Sequence, residues 1–110
     1  MPSPIQIVVT TCENVKDAEK LGSRLVEERL AACATALPGA VSHYRWEGRS
    51  ERSEECVLLL KTTTEAVAAL ERRLYELHDY EVPEFVVLPP LYVGAAYGAW
   101  VEESVRESNS

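Results

Sequence analysis

Val41-Ser42-His43-Tyr44-Arg45-Trp46, then Glu47-Gly48-Arg49-Ser50, then Glu55-Cys56-Val57-Leu58-Leu59-Leu60-Lys61-Thr62 is the stretch on which the fold turns. The first segment alternates: Ser42, Tyr44 and Trp46 share one face of an extended chain, and Val41, His43 and Arg45 the other. The second segment is a turn candidate, and the third returns as a strand with an apolar centre. Upstream, Cys33 to Trp46 reads as one extended segment. Pro38-Gly39 interrupts it, which fits a bulge or an edge position better than a regular central strand. The two extended segments therefore form a long hairpin in the middle of the chain.

Each flank pairs a strand with a helix, and no internal repeat is present. Ile5 to Thr11 is rich in β-branched residues and reads as a buried first strand. Asn14 offers an N-cap, with Asp17 three residues on. Val15, Ala18, Leu21, Gly22 and Leu25 then follow at helical spacing, with charged residues on the other face. After the hairpin, Thr64 is a cap candidate for a second helix with Glu65 in its first turn. Val67, Leu70, Leu74 and Leu77 mark that helix's apolar stripe. Pro83 stops any helix before it. Phe85 to Leu88 reads as a short strand ended by Pro89-Pro90. Tyr97, Trp100, Val101 and Val105 mark a last helix.

The order β-α-β-β-α-β plus a C-terminal helix predicts an α+β, ferredoxin-like split β-α-β sandwich. The expectation is one domain over residues 1–110, frayed at 106–110, with both main helices on one sheet face and the third helix an appendage. The other sheet face and the long hairpin then call for a second copy of the chain.

Among 110 residues there are 18 acidic and 11 basic ones, so the formal net charge is −7. That is a poor match to nucleic acid or an anionic membrane. No apolar run approaches the roughly 18 residues of a membrane-spanning helix. Met1-Pro2-Ser3-Pro4 carries no basic residue ahead of the short Ile5–Val9 stretch, so a cytoplasmic protein is expected. Cys12, Cys33 and Cys56 are far apart, with no Cys-x-x-Cys, and read as buried free thiols rather than a disulfide or zinc framework. No nucleophile elbow, phosphate-binding glycine loop or metalloprotease helix is present, and no enzymatic activity is expected.

The densest polar cluster is His78-Asp79-Tyr80-Glu81-Val82-Pro83-Glu84, one imidazole and three carboxylates of the kind that bind divalent metals. The competing reading makes His78 a cap at the end of the second helix. His43 reads as a surface residue. Lys61 ends a run of leucines and needs a carboxylate partner, for which Glu81 and Glu84 are candidates, or it serves an anion-binding cleft. Tyr44, Arg45, Trp46 and Glu47 read as an interface anchor.

Leu30-Ala31-Ala32-Cys33, Pro38-Gly39, Tyr44-Arg45-Trp46-Glu47-Gly48, Lys61-Thr62, Tyr80-Glu81-Val82-Pro83-Glu84 and Tyr97 with Trp100 together resemble the divalent-cation tolerance (CutA) family. The similarity runs from about Ile7 to Val101. The resemblance implies a ferredoxin-like homotrimer, shaped like the PII signalling proteins with clefts between subunits. It also implies binding rather than catalysis: tolerance to copper and other divalent metals, with copper bound by some members. Those members carry a strand-1 cysteine where this chain has Thr10, and two histidines where it has Leu77 and His78. The usual His-Pro-Tyr is His78-Asp79-Tyr80 here. The expected metal residues are thus His78, Glu81, Glu84 and Cys12, holding copper or zinc weakly in a site harder than thiolate–imidazole; the metal is not needed for folding. The alternative is a small molecule bound in the intersubunit cleft by Lys61, Tyr80, Glu81 and Glu84.

Overall fold

In the first strand, β1 (Ile5–Cys12), the alternation places Val8, Thr10 and Cys12 on one face, where all three are buried. A computed structural model describes residues 4–106 of the chain. Helix α1 (Val15–Glu27) follows, capped as expected: Asn14 Oδ1 accepts the Asp17 N–H at 2.8 Å. Its Ala18, Leu21, Gly22 and Leu25 are buried. Gly22 is required by close packing, because a Cβ there would lie 2.8 Å from the Ala34 Cβ. Two residues past the helix, Arg29 turns the chain with a φ of 62°, and the Leu30 and Arg29 N–H groups bond back to the Leu25 and Val26 carbonyls.

Strands β2 (Cys33–Trp46) and β3 (Arg49–Thr63) form the hairpin. The turn is tighter than the sequence suggests. Only Glu47 and Gly48 lie outside the ladder, both with positive φ, the geometry that matches strand twist. Strand β3 therefore begins at Arg49, six residues ahead of Glu55, where the sequence suggests it starts. Arg49 to Glu54 is polar on both faces, so pairing with β2 rather than burial makes it a strand. The register shifts between Leu37 and Ala40, at Pro38-Gly39, and β2 is an edge strand. Both readings of that proline hold.

Thr64 does not cap the second helix. It opens a single 3₁₀ turn, Thr64–Ala66, before α2 (Val67–Leu77). Its hydroxyl instead accepts from Gln6 Nε2 at 2.9 Å and donates to the Pro4 carbonyl at 3.3 Å, tying the turn to β1. The short strand β4 (Val86–Leu88) and helix α3 (Ala95–Val105) complete the chain. Residues 107–110 of the expected frayed tail lie outside the described residues.

The sheet order is β2-β3-β1-β4, every neighbour antiparallel, with β3 inserted between the ends of the first β-α-β unit. That is the expected ferredoxin-like arrangement. Leu58 and Leu60 of β3 join Val8 and Cys12 under Leu21, Leu25, Leu70 and Leu74 of the two main helices. Helix α3 is more than an appendage. Val101 is fully buried against Ile5 and Ala32, so α3 covers one end of the opposite sheet face. Elsewhere that face carries Leu37, Val86 and Leu88, each 44–48% exposed. Beyond the Cys12–Cys56 pair, β2 and β3 continue alone for seven residue pairs, an arm of about 23 Å at 3.3 Å per residue. The longest molecular extent, 47 Å against 22 Å for the shortest, follows from it.

Candidate functional site

The polar cluster after α2 folds back onto the end of β1. His78 ends the helix, its N–H bonded to the Leu74 carbonyl at 2.8 Å. Its ring is then held twice. The Tyr80 backbone N–H, which can only donate, points at Nδ1 at 3.0 Å. Nδ1 is therefore the acceptor nitrogen, and Nε2 carries the proton it donates to the Thr11 carbonyl at 2.8 Å. The Cys12 sulfur lies 3.9 Å from the same Nε2. The Tyr80 ring stacks obliquely on the imidazole, centroids 4.7 Å apart, and its hydroxyl donates to Glu55 at 2.7 Å.

Around these groups lies a small cleft of about 20 Å³, lined by Cys12, Glu13, Asp17, His78, Asp79 and Tyr80, with Leu21 and Leu77 as its apolar wall. That is room for about one water molecule or ion. Burial, followed by the nearness of Cys56 and of Asp17, pushes the Cys12 thiol up to about 12. Burial, and then the Glu55 carboxylate, likewise push the Tyr80 phenol upward. Thiol, imidazole and carboxylate thus meet in one place, but as protonated or hydrogen-bonded groups. Among the described residues no three of His, Cys, Asp and Glu converge as a ready cation site.

The expected site residues fall in two places. Cys12, His78 and Tyr80 are together. Glu81 and Glu84 are exposed on the loop beyond them and do not line the cleft. Lys61 is paired with Ile7 and Cys33 in the ladder, on the sheet face away from the two main helices. Its ammonium approaches the Cys33 sulfur at 3.8 Å, and that sulfur contacts the Tyr97 hydroxyl at 3.5 Å. The ion pair expected with Glu81 or Glu84 is not made within the chain: among the described residues Lys61 has no carboxylate within 4.0 Å. Tyr44, Arg45, Trp46 and Glu47 stand at the tip of the arm, Trp46 still 41% exposed.

Sequence reasoning missed Glu55, Asp17 and Glu13 around the cleft, and Cys56 opposite Cys12. Strand register was the signal for Cys56, once Cys12 is placed on the helix-covered face. A wider hollow, about 830 Å³, lies at the other end of the sheet, between Pro4, Arg29, Thr64 and Glu102. Two of its charged groups are already engaged: Glu28 with Arg73 and Arg24, and Arg29 with the Ser104 and Arg106 carbonyls.

A split β-α-β sheet with a protruding β2–β3 arm and a third helix across its second face defines a ferredoxin-like protein of a distinct kind. The family model described as CutA1 divalent ion tolerance protein matches residues 6–104, and the chain belongs to that family. The divalent-cation tolerance protein CutA of Thermus thermophilus is 41% identical over 99 residues, covering 90% of this chain and 96% of the relative. That of Citrobacter koseri is 40% identical over 100 residues, covering 91% and 87%. Among solved structures, CutA from Xylella fastidiosa superposes with a TM-score of 0.91 at 39% identity, covering 94% of this chain and all of that one. CutA1 from Oryza sativa gives 0.91 at 34%, covering 97% and 98%. A protein from Archaeoglobus fulgidus described as a periplasmic divalent cation tolerance protein gives 0.89 at 27%, covering 93% and 99%.

Proposed function

We propose that this protein is a homotrimeric, cytoplasmic, non-enzymatic responder to divalent metal ions that binds copper or zinc weakly at the end of α2. The observation that carries the reading is the Cys12–His78 contact at 3.9 Å inside a cleft bordered by Glu13, Asp17 and Asp79. Imidazole nitrogen, sulfur and carboxylate oxygen are the donors that copper and zinc take. Weakness follows from the same geometry. A cation on Nε2 displaces the bond to Thr11, and one on sulfur displaces a firmly held proton. Glu81 and Glu84 are close enough in sequence to complete the shell after a loop adjustment.

The trimer is supported by the apolar residues left on the second sheet face and by an arm that a two-stranded ribbon cannot stabilise alone. No helix among the described residues is long and apolar enough to cross a membrane. Calorimetric titration of metal-free protein with copper(II) and zinc(II) tests the cation site. Binding tighter than about millimolar, lost in His78→Ala, supports it. Heats indistinguishable from dilution, or unchanged in the variant, refute it.

A second reading is favoured by Lys61, a partly buried ammonium with no carboxylate within 4.0 Å among the described residues. In a PII-like trimer it would face a cleft between subunits and bind an anionic small molecule with a neighbour's Tyr80, Glu81 and Glu84. Thermal stabilisation by anionic metabolites, absent in Lys61→Ala, distinguishes this from the cation site.

A further inference from the structure

Two buried thiols stand face to face across the sheet. In the β1–β3 ladder Cys12 is the direct partner of Cys56. Both are free, 3% and 1% exposed, and belong to the same core beneath α1 and α2. Directly opposed residues of an antiparallel pair have Cα atoms about 4.5 or 5.5 Å apart and Cβ atoms about 4.5–5.5 Å apart. A disulfide takes Cα separations of about 4.4–6.8 Å and Cβ separations of about 3.5–4.5 Å. The ladder therefore supplies the backbone geometry of a bond, and a small local shift supplies the rest. Cys12 also lines the cleft beside His78, so a reagent of ionic size reaches one of the two sulfurs without unfolding. The third cysteine is engaged elsewhere, between Lys61 and Tyr97.

We propose that Cys12 and Cys56 form a redox-active dithiol that closes to an intrachain, cross-strand disulfide when a thiol oxidant or copper(II) enters the cleft. Each S–H gives its proton to water, one S–S bond forms, and two electrons leave. Hydrogen peroxide, little larger than water, takes both electrons and two protons and becomes two water molecules. Copper(II) takes one electron per ion, so two ions leave as copper(I). The copper step rests on the cation reading of the cleft; the bond itself does not.

The first arm of the test is free of metal. The full-length protein is treated with dilute hydrogen peroxide, denatured, alkylated with iodoacetamide and weighed, and its peptides are mapped. The expected result is about 2 Da lost on oxidation, alkylatable thiols falling from three to one, and a peptide joining Cys12 to Cys56. Three thiols still alkylatable, a bond involving Cys33 or a bond between chains overturns the dithiol. The second arm adds copper(II) without oxygen to Cys33→Ser, with a copper(I)-specific chelator as readout. About two copper(I) ions per disulfide are expected, falling to background in Cys33→Ser with Cys56→Ser, while zinc(II) leaves both thiols alkylatable. No copper(I) where peroxide still closes the bond overturns the copper step alone. Zinc calorimetry on the same protein reports separately on the cation site.

Discussion

Tyr80 donates its phenolic hydrogen to Glu55 at 2.7 Å, where β1 stops and the arm begins. One bond thereby joins the loop after α2 to the base of the hairpin. The same loop supplies the Tyr80 N–H that fixes the His78 ring, so the hydroxyl also steadies the imidazole at one remove. Tyr80→Phe keeps the ring contact with His78 and removes only the hydroxyl. The expected cost is about 1 kcal/mol, since Glu55 is only partly buried and keeps some solvent. Urea unfolding measures it. Faster amide exchange confined to the segment from His78 to Glu84 is the accompanying signature, and unchanged exchange there would show that the bond does not hold the loop.

Thr10 and Thr62 are both fully buried, with opposite fates. Thr62 donates to the Leu30 carbonyl at 2.7 Å, while the Thr10 hydroxyl has no hydrogen-bond partner among the described residues. A buried hydroxyl left unpaired costs about 1–3 kcal/mol. Valine has nearly the same shape and no hydroxyl. Thr10→Val should raise the unfolding free energy by about 1 kcal/mol, and Thr62→Val should lower it by a similar amount. Chemical denaturation of the pair checks both directions at once. A destabilised Thr10→Val would mean that the hydroxyl has found a partner.

The hairpin was readable because Val41 to Trp46 alternates, Val57 to Leu60 is a continuous apolar run and Pro38-Gly39 punctuates the first strand, and α1 because Asn14 and the stripe from Ala18 to Leu25 agree. The polar half of β3 was not. Arg49 to Glu54 has no apolar alternation, and only the partner strand makes it extended. Thr64 was misread because a threonine ahead of an apolar helix looks the same whether it caps the helix or bonds to a neighbouring strand. At the site, Cys12, His78 and Tyr80 were legible as donor types. That both imidazole nitrogens are occupied depends on the fold-back bringing the Thr11 carbonyl and the Tyr80 N–H together, and no local pattern encodes that.

Glu28 joins the two main helices. Arg73 of α2 grips its carboxylate through Nε at 2.8 Å and Nη2 at 3.0 Å, and Arg24 of α1 adds a contact at 2.7 Å. The hydrogen bonds from Arg73, more than any other influence, hold the Glu28 carboxyl below its ordinary range. A carboxyl depressed in the folded state stabilises the fold above its unfolded pKa, and that contribution is lost as pH falls through the folded value. Glu28→Gln should therefore melt below the wild type at neutral pH. The gap should close as the pH drops below about 4. Melting curves across that range decide it, and a gap independent of pH would assign the effect to packing.

The arm is where the proposed assembly can be tested. Tyr44 and Trp46 remain 44% and 41% exposed within one chain, on a ribbon flanked by no third strand. In the proposed trimer a neighbour covers them and pairs with the open edge, which satisfies its N–H and C=O groups and closes a three-fold ring. Light scattering should give about three times the 12.3 kDa of one chain, and a value near 12.3 kDa would refute the arrangement. Trp46→Ala should cost about 3–5 kcal/mol per chain if the neighbour buries the ring fully. Folding and association are then coupled, so the loss should register as a melting temperature that rises with protein concentration. A Trp46→Ala protein that melts like the wild type at every concentration would place the ring outside the interface.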